Sequence, residues 1–190
     1  MRNILLVFAL VGSMGFSNLI FAASVPNTEI VFKQDGENEN AITLNFKGTV
    51  YKDKRTFAQL EKQKAPLSDA QKLVMKAVKY NTDGDVKSIV SLWAPGEQAH
   101  IKKKVENQKM LKRNTSFYRN ILSSRFVAVM NYGKYTFCFV MHDLKGAGPY
   151  MKTYPLVHEG KSVYLSNSLV GDFFYDSIVP RLEQYFLKNI

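Results

Sequence analysis

His142 and Asp143, adjacent at the end of an aromatic strand pattern, and His158 beside Glu159 are the positions where acid–base chemistry is conceivable. Histidine titrates near neutrality, and a neighbouring carboxylate can orient or charge its ring, as general acid–base catalysis requires. Successive strand residues point to opposite faces, so the side chains of His142 and Asp143 need not meet. A polar strand end beside Lys145-Gly146-Ala147-Gly148 is the plainer reading, and a site would need these residues to converge with another carboxylate.

Metal and cofactor chemistry has little to rest on. Three histidines and one cysteine are dispersed without the paired spacing of a zinc site. Asn81, Asp83 and Asp85 resemble the first ligands of a calcium loop, but the oxygens and the closing glutamate that should follow are missing. Helix termination accounts for that segment. Gly146-Ala147-Gly148-Pro149 lacks the strand-to-helix context and the Lys-Ser/Thr of a phosphate cradle. Neither metal nor cofactor is expected. Cys138 lies in Tyr135-Thr136-Phe137-Cys138-Phe139 with no electropositive neighbour in sequence, which predicts a buried, inert thiol.

Two further groups could bind rather than react. Tyr135, Phe137, Phe139 and Met141, with Phe126 and Met130 on the preceding strand, would either line an apolar ligand cavity or fill an ordinary core. Lys102, Lys103, Lys104, Lys109, Lys112 and Arg113 crowd a thinly apolar helix, which is either a surface for anionic wall polymer or lipid head groups or a solvated face. No aromatic residues interleave with these cations to stack bases, which disfavours a single-stranded nucleic acid as partner.

The elements that must position these residues can be read from periodicity. Glu29 to Lys33 and Ala41 to Tyr51 read as strands joined by the polar segment Gln34 to Asn40, and Lys52 to Pro66 as a linker with a short helix near Phe57 to Leu60. Ser68 and Gln71 form a capping box, after which Ala70, Leu73, Val74, Ala77 and Val78 recur at helical spacing. Gly84 suits the helix exit and Asp85 the next N-cap. Val86, Ile89, Val90 and Trp93 continue the helical period to Ala94-Pro95-Gly96. Val74, Val78, Val90 and Trp93 are thus expected in the core, and a third helix is expected from Glu97 to Arg113. Alternation then predicts one hairpin from Arg125 to His142 and a second from Tyr150 to Leu165, with Pro155 awkward in the middle of a strand. A closing helix is predicted over Asp172 to Leu187, either kinked or opened in its second half by Pro180.

Arg2, the apolar or small run from Ile4 to Phe21, and the small residues Ala22, Ala23 and Ser24 make a secretory signal over about residues 1–23. The competing reading is a membrane anchor, which the interrupted apolar run disfavours, so no integral membrane protein is expected. Residues 24–66 would then form the strand pair and linker, and 67–190 one α+β domain. A single cysteine excludes an intramolecular disulfide despite the oxidising destination. The net charge is +10, and Lys47 to Arg113 holds 16 Lys or Arg against seven Asp or Glu, a balance that steers anionic partners.

The stretch from Ala77 to Pro95, AVKYNTDGDVKSIVSLWAP, with helices before long aromatic strands, resembles the nuclear-transport-factor-like superfamily over Ser68 to Leu165. That resemblance implies helices packed on a curved antiparallel sheet that forms a cone, here with an added N-terminal strand pair and a C-terminal helix. Some members catalyse inside the cone and many only bind or dimerise, so the fold leaves function open. The function expected is an exported, periplasmic or secreted, non-catalytic protein that binds a small apolar ligand or another envelope protein, with pairing of two copies open. The rivals are a small acid–base enzyme using His142, Asp143 or His158, and an inhibitor or immunity-type protein that inserts an exposed loop into its target.

Overall fold

The computed structural model describes residues 27–33 and 41–190, with side chains from Phe46 onward. The leader expected at residues 1–23 and the connecting segment Gln34 to Asn40 lie outside the described residues. Six strands form one antiparallel sheet in sequence order: β1 (Asn27–Lys33), β2 (Ala41–Val50), β3 (Ile121–Tyr132), β4 (Tyr135–Leu144), β5 (Gly148–Glu159) and β6 (Ser162–Leu165). The N-terminal strand pair is therefore continuous with the main sheet, because β2 pairs with β3 from Lys47↔Asn131 to Val50↔Ala128. Gly48 permits this approach, since a Cβ there would overlap the Val129 carbonyl oxygen. Gly48→Ala is expected to cost about 1–3 kcal/mol by overpacking. Chemical denaturation checks it, and an unchanged midpoint would mean that β2 does not sit against β3.

Helices cover both faces of the sheet. One face receives α1 (Phe57–Lys62) and α2 (Asp69–Asp83), whose Phe57, Leu60, Val74 and Ala77 pack with Phe126, Cys138, Val140 and Leu156. Both helices start from complete capping boxes, Thr56 with Gln59 and Ser68 with Gln71, each satisfying two backbone donors. Gly84 ends α2 at φ 73°, and Asp85 caps α3 (Val86–Ser91) by accepting from Ser88 N at 3.1 Å. The opposite face receives α6 (Val179–Asn189), whose Val179, Leu182 and Phe186 pack with Met130, Phe137, Phe139, Met141 and Met151. Burying such a side chain stabilises by about 1.5–3 kcal/mol, so α6 is integral to the domain. The architecture is α+β, with helices on a curved antiparallel sheet and a C-terminal helix, as expected from the sequence.

Several expectations change. Val74 is buried, but Val78, Val90 and Trp93 are only half-buried, and Ile89, Leu92 and Ala94 take the core positions. The cause is a change of period: α3 stops at Ser91, and the chain then bonds to the sheet through Leu165 N to Leu92 O at 2.8 Å and Ala94 N to Leu165 O at 3.0 Å. Alternation there turns Leu92 and Ala94 inward and Trp93 aside. The helix expected over Glu97 to Arg113 is two: α4 (Gln98–Val105) and α5 (Gln108–Arg119). Asn107 divides them, its side-chain oxygen accepting from Lys109 N and Met110 N at 3.1 Å each.

Pro155 sits inside β5 without breaking it. Its carbonyl accepts from Ser166 N at 3.0 Å, just beyond the end of β6, and in an antiparallel strand its ring nitrogen points to that same side. The β4 ladder never needs its missing N–H. At the C-terminus a π-turn (Phe174–Ile178) leads into α6, with Pro180 in the first turn, where no N–H is required.

Candidate functional site

A bulge in β3 decides where the expected cavity residues go. Phe126 pairs with Val140 but Ala128 pairs with Phe139, so one extra residue switches the strand's facing. Met130, Phe137, Phe139 and Met141 lie under α6, with Tyr135 partly buried beside them, whereas Phe126 lies on the opposite face against Phe57 at 4.6 Å between ring centroids. The six do not share a cavity. Packing with α6 occupies the face that five of them form.

His142 is fully buried on the α2 face, in a string of hydroxyl groups. Its Nδ1 lies 2.7 Å from Ser124 Oγ and its Nε2 3.1 Å from Tyr154 Oη; Tyr154 Oη lies 3.3 Å from Tyr118 Oη, to which Lys152 Nζ donates at 2.7 Å. The ammonium can only donate. Tyr118 Oη therefore accepts from the ammonium, and the order of donors from Tyr118 through Tyr154 and His142 to Ser124 is set by the tautomer of the ring. Burial first, and then the Lys152 charge, hold the imidazole neutral by pulling its pKa down to about 4, against a weaker opposing pull from Asp143. Burial raises the Tyr154 hydroxyl well above its ordinary range, with Tyr118 adding to the effect.

The other acid–base candidates stand apart. Asp143 is exposed and accepts from Ser123 Oγ, on the far side of the strand from His142. His158 is exposed with Nε2 2.9 Å from Thr136 Oγ1; Thr136 donates at 3.0 Å to Asn131 Oδ1, so His158 Nε2 is the donor to Thr136. The structure does not bring His142, Asp143 and His158 together. Burial pushes the Cys138 thiol pKa up, in keeping with an inert core residue.

The calcium-like segment is spent on helix ends. Asn81 is buried, donates to Ala77 O at 2.6 Å and accepts from Asn114, and Asp85 caps α3. Among the described residues no three His, Cys, Asp or Glu side chains gather as a metal site would require. Lys102, Lys103 and Lys104 on α4, and Lys109, Lys112 and Arg113 on α5, are all exposed, with Lys102 3.7 Å from Glu106. Asn107 breaks them into two helical groups.

A recess that the sequence reading missed lies at the β3–β4 hairpin end. Phe46, Lys47, Met130, Asn131, Tyr132, Gly133 and Phe174 line a cleft of about 360 Å³. Tyr132 and Phe174 stack with ring centroids 4.4 Å apart and planes 10° from parallel, which fixes one wall. The π-turn brings Phe174 there, so no periodicity in the sequence announces the contact. Among the described residues no helix is long and apolar enough to cross a membrane.

No protein-family model and no curated protein matches the sequence. A solved structure is similar: a Campylobacter jejuni chain described as an NTF2-like transpeptidase, at 13% identity and a TM-score of 0.42, covering 52% of this chain and 97% of that one. It is of the superfamily that Ser68 to Leu165 resembles. The likeness is one of architecture over about half of this chain.

Proposed function

We propose that the chain is an exported, non-catalytic binding protein that takes a small apolar ligand in the cleft beside Tyr132 and Phe174. The observation that carries this reading is the cleft itself. Phe46 and Phe174 offer an apolar surface over the buried Met130, and the parallel Tyr132–Phe174 stack offers a flat one, a combination suited to a ring or short hydrocarbon. The interior supports the same reading by what fills it: α6 occupies one face of the sheet, and His142 is fully buried with both ring nitrogens against hydroxyls. Export rests on the pattern of residues 1–23.

The probe for this reading is 8-anilinonaphthalene-1-sulfonate, an anionic aromatic dye whose naphthalene ring suits an apolar recess, whose sulfonate suits Lys47 at its edge, and whose fluorescence rises when water is excluded. Tyr132→Ala should weaken dye binding about fivefold, the loss of one aromatic contact worth roughly 1 kcal/mol. Lys103→Gln, on α4, should leave it unchanged. Equal dye affinity in wild type and Tyr132→Ala, or no dye binding to either, would overturn the assignment of the cleft.

A further inference from the structure

Beside the cleft, the segment from Asn167 to Phe173 presents two large apolar side chains to solvent, Val170 at 71% and Phe173 at 77% of their full exposure. The backbone beneath them is held by Val170 N to Asn167 O at 3.0 Å, Asp172 N to Leu169 O at 2.9 Å, and Gly171 N to Asp176 Oδ2 at 2.9 Å. Asp172 Oδ1 accepts from Phe174 N and Tyr175 N, and Glu97 grips the loop's base through Ser166 Oγ at 2.6 Å and Asn167 N at 2.8 Å. An exposed phenylalanine on a backbone held in this way needs little loop ordering on docking, which makes it an efficient interface anchor.

Charge selects the partner. From Ser162 to Pro180 there is no Lys or Arg, while Asp172 and Asp176 are present, in a chain of net charge +10. An anionic lipid surface would repel this segment, whereas an apolar recess bordered by cations would accept it. The cleft next to it is such a recess, with Lys47 on its lining and Lys134 following Gly133. Knob and recess adjoin through the successive residues Phe173 and Phe174, so a two-fold axis between them lets each copy supply both.

We propose that a second copy of this chain is the loop's partner, Phe173 of each copy entering the cleft of the other. The inference shares its cleft with the small-ligand reading and goes beyond it: self-association and ligand compete for one recess. Sedimentation equilibrium tests it on the wild type, Phe173→Ser and Tyr132→Ala. The expected result is a wild-type dimer whose dissociation constant rises roughly tenfold or more with either substitution, and which the naphthalene dye splits into monomers. Phe173 is exposed, so its replacement does not endanger folding. A wild type that stays monomeric to its solubility limit, or a dimer indifferent to Phe173→Ser, would overturn the proposal. The two readings fail separately: a monomeric wild type that binds the dye refutes the dimer alone, while a Phe173-dependent dimer whose Phe173→Ser monomer binds no dye upholds the dimer and refutes the ligand.

Discussion

Phe186→Ala should destabilise the protein by about 3–5 kcal/mol, the usual cost of emptying a buried aromatic site. Phe186 is fully buried near the C-terminal end of α6, edge-on to Phe139 with ring centroids 5.1 Å apart, and it shares its cluster with Leu182, Phe137 and Met151. In a chain of this size such a loss lowers the melting temperature by about 10 °C. The same substitution bears on function, because α6 is what keeps Phe137, Phe139 and Met141 from lining a cavity. A loss below about 1 kcal/mol would mean that α6 is a loosely held lid. The open apolar cavity considered from the sequence would then return as the binding site.

Acid should weaken the fold through His142. Its folded-state pKa is pulled down to about 4 from the ordinary 6.5, so the unfolded chain binds the proton more readily than the native one. The contribution of the neutral ring is complete above pH 6.5 and is lost as pH falls from 6.5 to about 4. The full loss is about 3 kcal/mol, from a shift of roughly 2.5 pH units at 1.36 kcal/mol each. Titratable and charged groups around the ring are Tyr154, Tyr118 and Lys152 on the string and Asp143 next in sequence. Urea unfolding at pH 7 and pH 4 should show this loss in the wild type, and His142→Gln should remove most of it. Lys152→Met should move the transition toward neutrality. A His142 that titrates near 6.5 in an NMR pH series would contradict the sealed environment and reopen the question of acid–base chemistry.

Much of the architecture was legible because it rests on local signals. The Ser68 and Gln71 capping box, the Asn81 to Asp85 helix exit and the alternation about Gly133 each depend on neighbours in sequence, and each appears where expected. What escaped depends on single backbone events or on distant partners. The β3 bulge between Phe126 and Ala128 changes the facing of Phe126 without any change in residue pattern. Trp93 lost its core position when Leu165 drew the end of α3 into a bridge, a contact separated by most of the domain. Asn107 as a helix divider was available in the sequence as an N-cap residue, but the lysines around it gave no apolar stripe by which to see two helices.

The candidate site followed the same rule. That His142 and Asp143 face apart could be reasoned from strand alternation, and the structure agrees. The string from Lys152 through Tyr118 and Tyr154 to His142 joins α5 and two strands; alternation puts Lys152 and Tyr154 on one face, but nothing in sequence brings Tyr118 or His142 to them. The cleft joins Phe46, Tyr132 and Phe174 from three separate parts of the chain. Its key contact depends on a π-turn, which shifts residues off the 3.6 period by which helical faces are read.

The central claim is that binding occurs at the hairpin end and not in the interior around His142. It is tested most directly by following backbone amide NMR signals while the naphthalene dye is titrated into the wild-type protein. The account predicts that the largest shifts fall at Phe46, Asn131, Tyr132, Gly133 and Phe174, with Ser124, His142 and Tyr154 unmoved. Shifts centred on Ser124, His142 and Tyr154 would contradict it and make the buried string the site.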